Sequence, residues 1–135
     1  MGNRIQSRPW RSEYEIGHAM IDADHRKLVE IANRVAEVLN KGDARYAVVL
    51  MQHFVEVARE HFDKEEALMR DIRFKGIDAH VRYHRLLLSS AASVMAQCES
   101  GKDIELIQES FEMLANCLLD DVISGDEELR SVLPA

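Results

Sequence analysis

The chain has 135 residues, 47% of them hydrophobic and 30% charged, which is enough for one domain that buries a core without disulfides. Its net charge of −7 argues against a nucleic-acid partner, and its two cysteines are too few for a disulfide framework and fit a reducing compartment. The N-terminus lacks the apolar core of a signal peptide, and the longest nearly apolar run, residues 86–96, is too short to span a bilayer. We therefore expect a cytoplasmic protein without membrane or nucleic-acid partners, and we expect it to be monomeric.

The first 17 residues form an arm without a regular hydrophobic pattern. Three large apolar side chains in it indicate that the arm packs on the rest of the chain, and a lid over one end of the core is the simplest interpretation. These residues are Trp10, Tyr14 and Ile16.

Four helices are predicted after the arm, because apolar residues recur at steps of three and four. The first begins between residues 18 and 22, and Gly42 and Asp43 separate it from a second helix at about 44–71. A break at residues 73–76 precedes the third helix, and Asp103 can cap the fourth. Long helices with short connections predict an all-α, up-down-up-down antiparallel four-helix bundle over residues 18–131, within a single domain of residues 1–135.

Histidines and a carboxylate interrupt the apolar faces of these helices. His61 and Glu65 lie four residues apart and therefore share one helical face, and His80 and His84 repeat that spacing. His25 falls on the inner face of the first helix. A single inward histidine is more often a core residue bonded to a neighbour, but four of them with an inward carboxylate indicate a bound cation that offsets their desolvation. Glu66 points about a quarter turn away from Glu65, so we expect it to face solvent.

The fourth helix adds acidic candidates. Its apolar face continues to Asp121, which places Asp120 outside. Asp126 follows Val122 by four residues and either faces inward or belongs to a solvated acidic helix end, and the other ligands favour the inward position. Imidazole and carboxylate ligands suit iron, manganese or zinc. Seven candidates are too many for one ion, so we predict two ions that share bridging carboxylates, held by His25, His61, Glu65, His80, His84, Asp121 and Asp126.

These residues resemble the bacteriohemerythrins, the bacterial branch of the hemerythrins, over nearly the whole chain. The resemblance includes Trp10…Tyr14-Glu15-Ile16-Gly17, residues 21–28, residues 61–69, Phe74, and His80…His84. It implies a non-haem di-iron centre, oxo- or hydroxo-bridged, that binds O₂. By that resemblance, His25 and His61 would hold the O₂-binding iron, His80 and His84 the other iron, and Glu65 and Asp126 would bridge the two.

The chain departs from the family pattern on the fourth helix. Asp121 stands where the family carries a fifth histidine, and Cys117 stands where it often carries tryptophan. An alternative alignment puts Cys117 in the histidine position, but it would place Val122 at the bridging aspartate, and we reject it. The predicted O₂ pocket is lined by Leu28, Cys117 and Val122.

Asp121, in place of the family's fifth histidine, leaves several functions open. Extra negative charge beside a metal stabilises its higher oxidation state, which favours a redox or O₂ sensor, or peroxide-reducing activity, over an O₂ carrier. Manganese or zinc at one position is an alternative, and so is a tolerated substitution that retains O₂ binding. We expect an O₂ carrier or O₂/redox sensor rather than an enzyme. The alternatives are a di-iron peroxidase or oxidase acting on O₂ or peroxide, and a protein that binds metal without reversible O₂ binding.

Overall fold

The computed structural model describes residues 5–101, 103–122 and 129, and within them the chain forms four long helices and no strand. Each helix packs against the next one in sequence, and the first also packs against the fourth, which closes an antiparallel four-helix bundle as predicted. The helices are α1 (Ala19–Asn40), α2 (Ala44–Asp71), α3 (Ile77–Glu99) and α4 (Ile104–Asp120).

Polar side chains cap the N-termini of three of the helices. His18 accepts a hydrogen bond from the backbone N–H of Ile21, and Asp43 accepts one from that of Tyr46. Asp103 caps α4 in the same way, through Glu105. Gly42, which has a φ of 81°, ends the turn between α1 and α2, so the break predicted at residues 42 and 43 is confirmed.

Two apolar clusters fill the bundle, and a polar layer separates them. On α1, Ile21 belongs to the smaller cluster and Leu28 to the larger, with His25 between them. On α2, Glu65 lies between Phe62 of the larger cluster and Met69 of the smaller. The bundle therefore shields this polar layer from both ends.

The N-terminal arm runs along α1 as a strap. The side chain of Asn40 bonds both the N–H and the C=O of Ile5, and Asn33 does the same for Arg8. Farther on, a 3₁₀ turn at Ser12–Tyr14 leads to Ile16, whose N–H donates to the Asp22 carboxylate. These contacts follow α1 from its last residue to its first turn, and Ile16 joins the smaller apolar cluster at one end of the bundle. The arm therefore packs on the bundle as predicted, but it covers the side of α1 as well as that end.

No helix in the described part of the chain is long and apolar enough to cross a membrane.

Candidate metal centre

Five buried side chains meet in the polar layer between the two apolar clusters, and none is more than 6% exposed. The four-residue spacings on α2 and α3 place two side chains from each helix on the same inner face, as predicted. The five residues are His25, His61, Glu65, His80 and His84.

Glu65 lies at the middle of this group, and its two oxygens face different histidines. Nε2 of His25 and Nε2 of His61 lie 3.5 Å and 3.0 Å from Oε2. Nε2 of His84 lies 3.2 Å from Oε1, on the other side of the carboxylate. One carboxylate thus presents one oxygen to α1 and α2 and the other to α3.

The residues fit bound metal ions. Two groups have ligand atoms within 4.8 Å of one another: His25 with His61 and Glu65, and Glu65 with His80 and His84. Both oxygens of Glu65 are inaccessible to solvent and lack a well-directed hydrogen bond within the described residues, and so does Nε2 of His84. Buried polar atoms without such bonds are costly, and a cation between them would satisfy them. Imidazole and carboxylate donors suit iron, manganese or zinc.

The protein environment makes the central carboxylate strongly acidic. Burial alone would raise the pKa of Glu65, but the facing imidazoles outweigh burial and hold that pKa well below its usual value. Burial would likewise lower the pKa of His84, but Glu65, Asp121 and Glu66 raise it to about 9. Without an ion, the layer is therefore held together by a buried carboxylate and a protonated imidazole.

Two further carboxylates contact the far sides of the histidines. Oδ2 of Asp24 lies 3.2 Å from Nδ1 of His61, and Oε2 of Glu66 lies 2.9 Å from Nδ1 of His84. The expectation that Glu66 faces solvent is wrong, since its side chain is only 15% exposed. Its position next to Glu65 turns it toward α3, and its length lets it reach the ring. Helical spacing did not predict either contact. The sign of them in the sequence is that each of these acidic residues lies next to a candidate ligand.

The end of α4 brings Asp121 beside the centre. Asp121 is 4% exposed, and its Oδ2 lies 3.7 Å from Nε2 of His84, whereas Asp120 is exposed as predicted. The helix widens into a π turn at residues 121–122, a feature that often occurs at functional sites. The structure therefore brings Asp121 to the side of the centre formed by α3.

The predicted O₂ pocket is only partly present. Leu28 and Val122 are buried, at 0% and 2% exposure. Cys117 is exposed, and its backbone carbonyl accepts a hydrogen bond from the Tyr83 hydroxyl, so its side chain does not line the interior as predicted. Asp126, the predicted second bridge, lies outside the described residues.

Known proteins share this sequence pattern. The model of the hemerythrin HHE cation binding domain matches residues 17–129. A bacteriohemerythrin from Clostridium acetobutylicum is 27% identical over 125 residues, which cover 88% of this chain and 95% of that protein. One from Stenotrophomonas maltophilia is 29% identical over 120 residues, or 88% of this chain and 76% of that protein.

Proposed function

This chain belongs to the hemerythrin family, and from that premise we propose that it binds two iron ions in the polar layer and uses them to bind O₂. The proposal rests chiefly on Glu65, because each of its oxygens faces a different set of histidines. A carboxylate in that position could serve two ions at once. His25 and His61 would hold one iron, and His80 and His84 would hold the other.

The protein's own groups account for the remaining features of the centre. Glu65 is ionised at neutral pH because of its lowered pKa, so it is ready to bind a cation. Leu28 and Val122 are buried, and their apolar side chains would exclude water from a small molecule bound at the centre. Iron with imidazole and carboxylate ligands supplies the redox chemistry that O₂ binding needs. Asp126 would be the remaining carboxylate of the proposed ligand set, and an oxo or hydroxo group would complete the coordination of the ions.

The test is an anaerobic Fe²⁺ titration of metal-free protein, followed by exposure to O₂. We expect two ions per chain, and an absorption band that appears with O₂ and disappears when O₂ is removed. Glu65→Ala should lose both ions, because Glu65 is common to both groups, whereas His53→Ala should keep both, because His53 is exposed on the same helix. One ion or none in the unaltered protein would overturn the dinuclear proposal.

Asp121 favours a second candidate function, an O₂ or redox sensor or a peroxide-reducing enzyme rather than a carrier. Its carboxylate adds a negative charge 3.7 Å from Nε2 of His84, where a histidine would add none. Negative charge beside a metal lowers its reduction potential, so the reduced centre should be oxidised more readily. Steady consumption of peroxide in the presence of a reductant would support the enzyme, and a band that reverses on removal of O₂ would support the carrier.

A further inference from the structure

In each of the two groups of ligands, the outer nitrogen of a histidine lies close to a carboxylate. In the group of α1 and α2 that histidine is His61, whose Nδ1 lies 3.2 Å from Asp24. In the group of α2 and α3 it is His84, whose Nδ1 lies 2.9 Å from Glu66. In both histidines the opposite nitrogen, Nε2, points at Glu65. The outer carboxylates, Asp24 and Glu66, thus stand behind the two metal positions, one for each.

Surface cations hold the outer carboxylates in place. Nζ of Lys64 lies 3.6 Å from Oδ2 of Asp24, and Nη2 of Arg70 lies 3.7 Å from Oε1 of Glu66. Both cations belong to α2 and are largely exposed, whereas the carboxylates are 19% and 15% exposed. An ionised carboxylate only accepts hydrogen bonds.

The His84 ring has a further restraint. The Phe62 ring stacks on it with centroids 3.9 Å apart and an angle of 6° between the planes. A ring held on one face by a phenyl group and at Nδ1 by a carboxylate has one orientation available. Nδ1 of His80, by contrast, is buried without a hydrogen-bond acceptor within the described residues. In this group, therefore, the described residues provide a carboxylate partner for the outer nitrogen of His84 and not for that of His80.

We propose that Asp24 and Glu66 are positioning residues, each of which holds a proton on Nδ1 of its histidine and so directs a metal ion to Nε2. The inference rests on the proposed function, in which the two groups hold ions. An imidazole fixed in this way needs no rotation of its ring when the ion arrives, and only Nε2 has to give up a proton. The two carboxylates act separately, so the loss of one weakens the metal position of its own histidine and leaves the other intact.

The experiment for Glu66 uses Zn²⁺, which is diamagnetic, as the probe. Competition titration should show that Glu66→Leu binds one of its two ions about 10- to 100-fold more weakly than the unaltered protein does. Glu66→Gln should restore most of the affinity, because the amide oxygen still accepts a hydrogen bond from Nδ1. Asp63→Leu is the matched control: it removes the same charge from the exposed side of the same turn of α2, and both ions should stay tightly bound.

A second pair of variants, at Asp24, tests the metal position of His61. Asp24→Leu should weaken the other ion and leave intact the one that Glu66→Leu affects, while Asp24→Asn keeps an acceptor and most of the affinity. Glu30→Leu, a change at an exposed carboxylate of α1, should leave both ions in place. Circular dichroism of each variant checks that the helices are intact.

The ¹⁵N chemical shifts of the histidine rings in the Zn²⁺-loaded protein give a readout that loss of packing would not produce. We expect Nδ1 protonated and Nε2 metal-bound in both His61 and His84. Metal on Nδ1 in either residue would overturn the proposal, as would equal Zn²⁺ affinity in Glu66→Leu and Asp63→Leu when the unaltered protein binds two ions. Fewer than two ions in the unaltered protein would instead overturn the dinuclear function itself.

Discussion

Asp121 is the side chain that most affects the charge of the proposed centre. It lies 3.7 Å from Nε2 of His84, is 4% exposed, and adds its charge to that of Glu65. Ligation of the ion that His80 and His84 would hold is the role that we propose for Asp121, because its Oδ2 faces Nε2 of His84.

Exchanging this carboxylate for an imidazole should make the centre harder to oxidise. Asp121→His removes one negative charge beside the ion, so the reduction potential should rise and the O₂ complex should last longer before irreversible oxidation. Spectroelectrochemical titration and the decay of the O₂-dependent band measure these two effects.

Asp120→His is the control for this prediction, because Asp120 is exposed. It should change neither the potential nor the band. If Asp120→His changes them and Asp121→His does not, the orientation of the end of α4 has been assigned one residue off.

Helical phase predicted which side chains are buried, but it did not predict which neighbours a long side chain can reach. Glu65 and His84 lie on inner faces, and spacing alone placed them there. Glu66 was assigned to solvent from its angle on the helix, yet its side chain spans the gap to α3. Cys117 was expected in the pocket because it lies one helical turn before Asp121, and it is exposed.

Among the elements, the arm depends on two amide side chains of α1. Asn33 and Asn40 lie seven residues apart, two helical turns, and each pairs with both backbone groups of one arm residue. In this way the extended arm satisfies part of its backbone hydrogen bonding without a neighbouring strand.

Removing one amide should loosen the arm and leave the metal centre intact. Asn40→Leu deletes both hydrogen bonds to Ile5, and the free energy of unfolding should fall by about 1–3 kcal/mol. Urea denaturation measures the loss, and faster amide exchange at Ile5 locates it.

Gln52→Leu on the exposed face of α2 is the control and should leave both measurements unchanged. Metal stoichiometry should stay the same in Asn40→Leu, because Asn40 ends α1, about 20 Å along the helix from His25. Unchanged exchange at Ile5 would contradict the role assigned to Asn40.

The helices could be predicted from the sequence more completely than the arm. Gly42 and Asp43 are local signals, and they correctly predicted where α1 ends and α2 begins. The path of the arm depends on amide contacts between residues up to 35 positions apart, which leave no periodic trace in the sequence.

The stability of the whole folded protein depends on whether protons or metal ions occupy the polar layer. In the metal-free protein, the pKa of His84 is raised to about 9 from its ordinary value of 6.5. A raised pKa in the folded state contributes stability that is complete below about pH 6.5 and lost as the pH rises through about 9. Glu65 acts in the opposite sense, because the contribution of its lowered pKa is lost only in acid.

We therefore predict that protein stripped of metal by a chelator loses stability between about pH 6.5 and about pH 9. The midpoint of urea denaturation, measured at steps across that interval, should fall. The metal-loaded protein should show a much smaller fall, because an ion takes the place of the proton on His84. An equal fall in both forms would show that another group is responsible.

The bundle itself follows from the order and length of the helices, with short connections that leave neighbours antiparallel. The core is divided into two apolar clusters with a polar layer between them. The sequence indicates this division through single polar residues on apolar faces, such as His25 between Ile21 and Leu28. Asp126, the proposed second bridging residue, lies outside the described residues.

The arm also carries the chain's one tryptophan. Trp10 meets the Tyr14 ring edge to face at 5.4 Å, and the guanidinium carbon of Arg26 lies 5.5 Å from the centre of its indole ring. The bundle helices contain no tryptophan, so the indole fluorescence of the unlabelled protein comes from the arm alone. A change in emission that precedes the loss of the helical circular dichroism signal would show the arm leaving a bundle that is still folded.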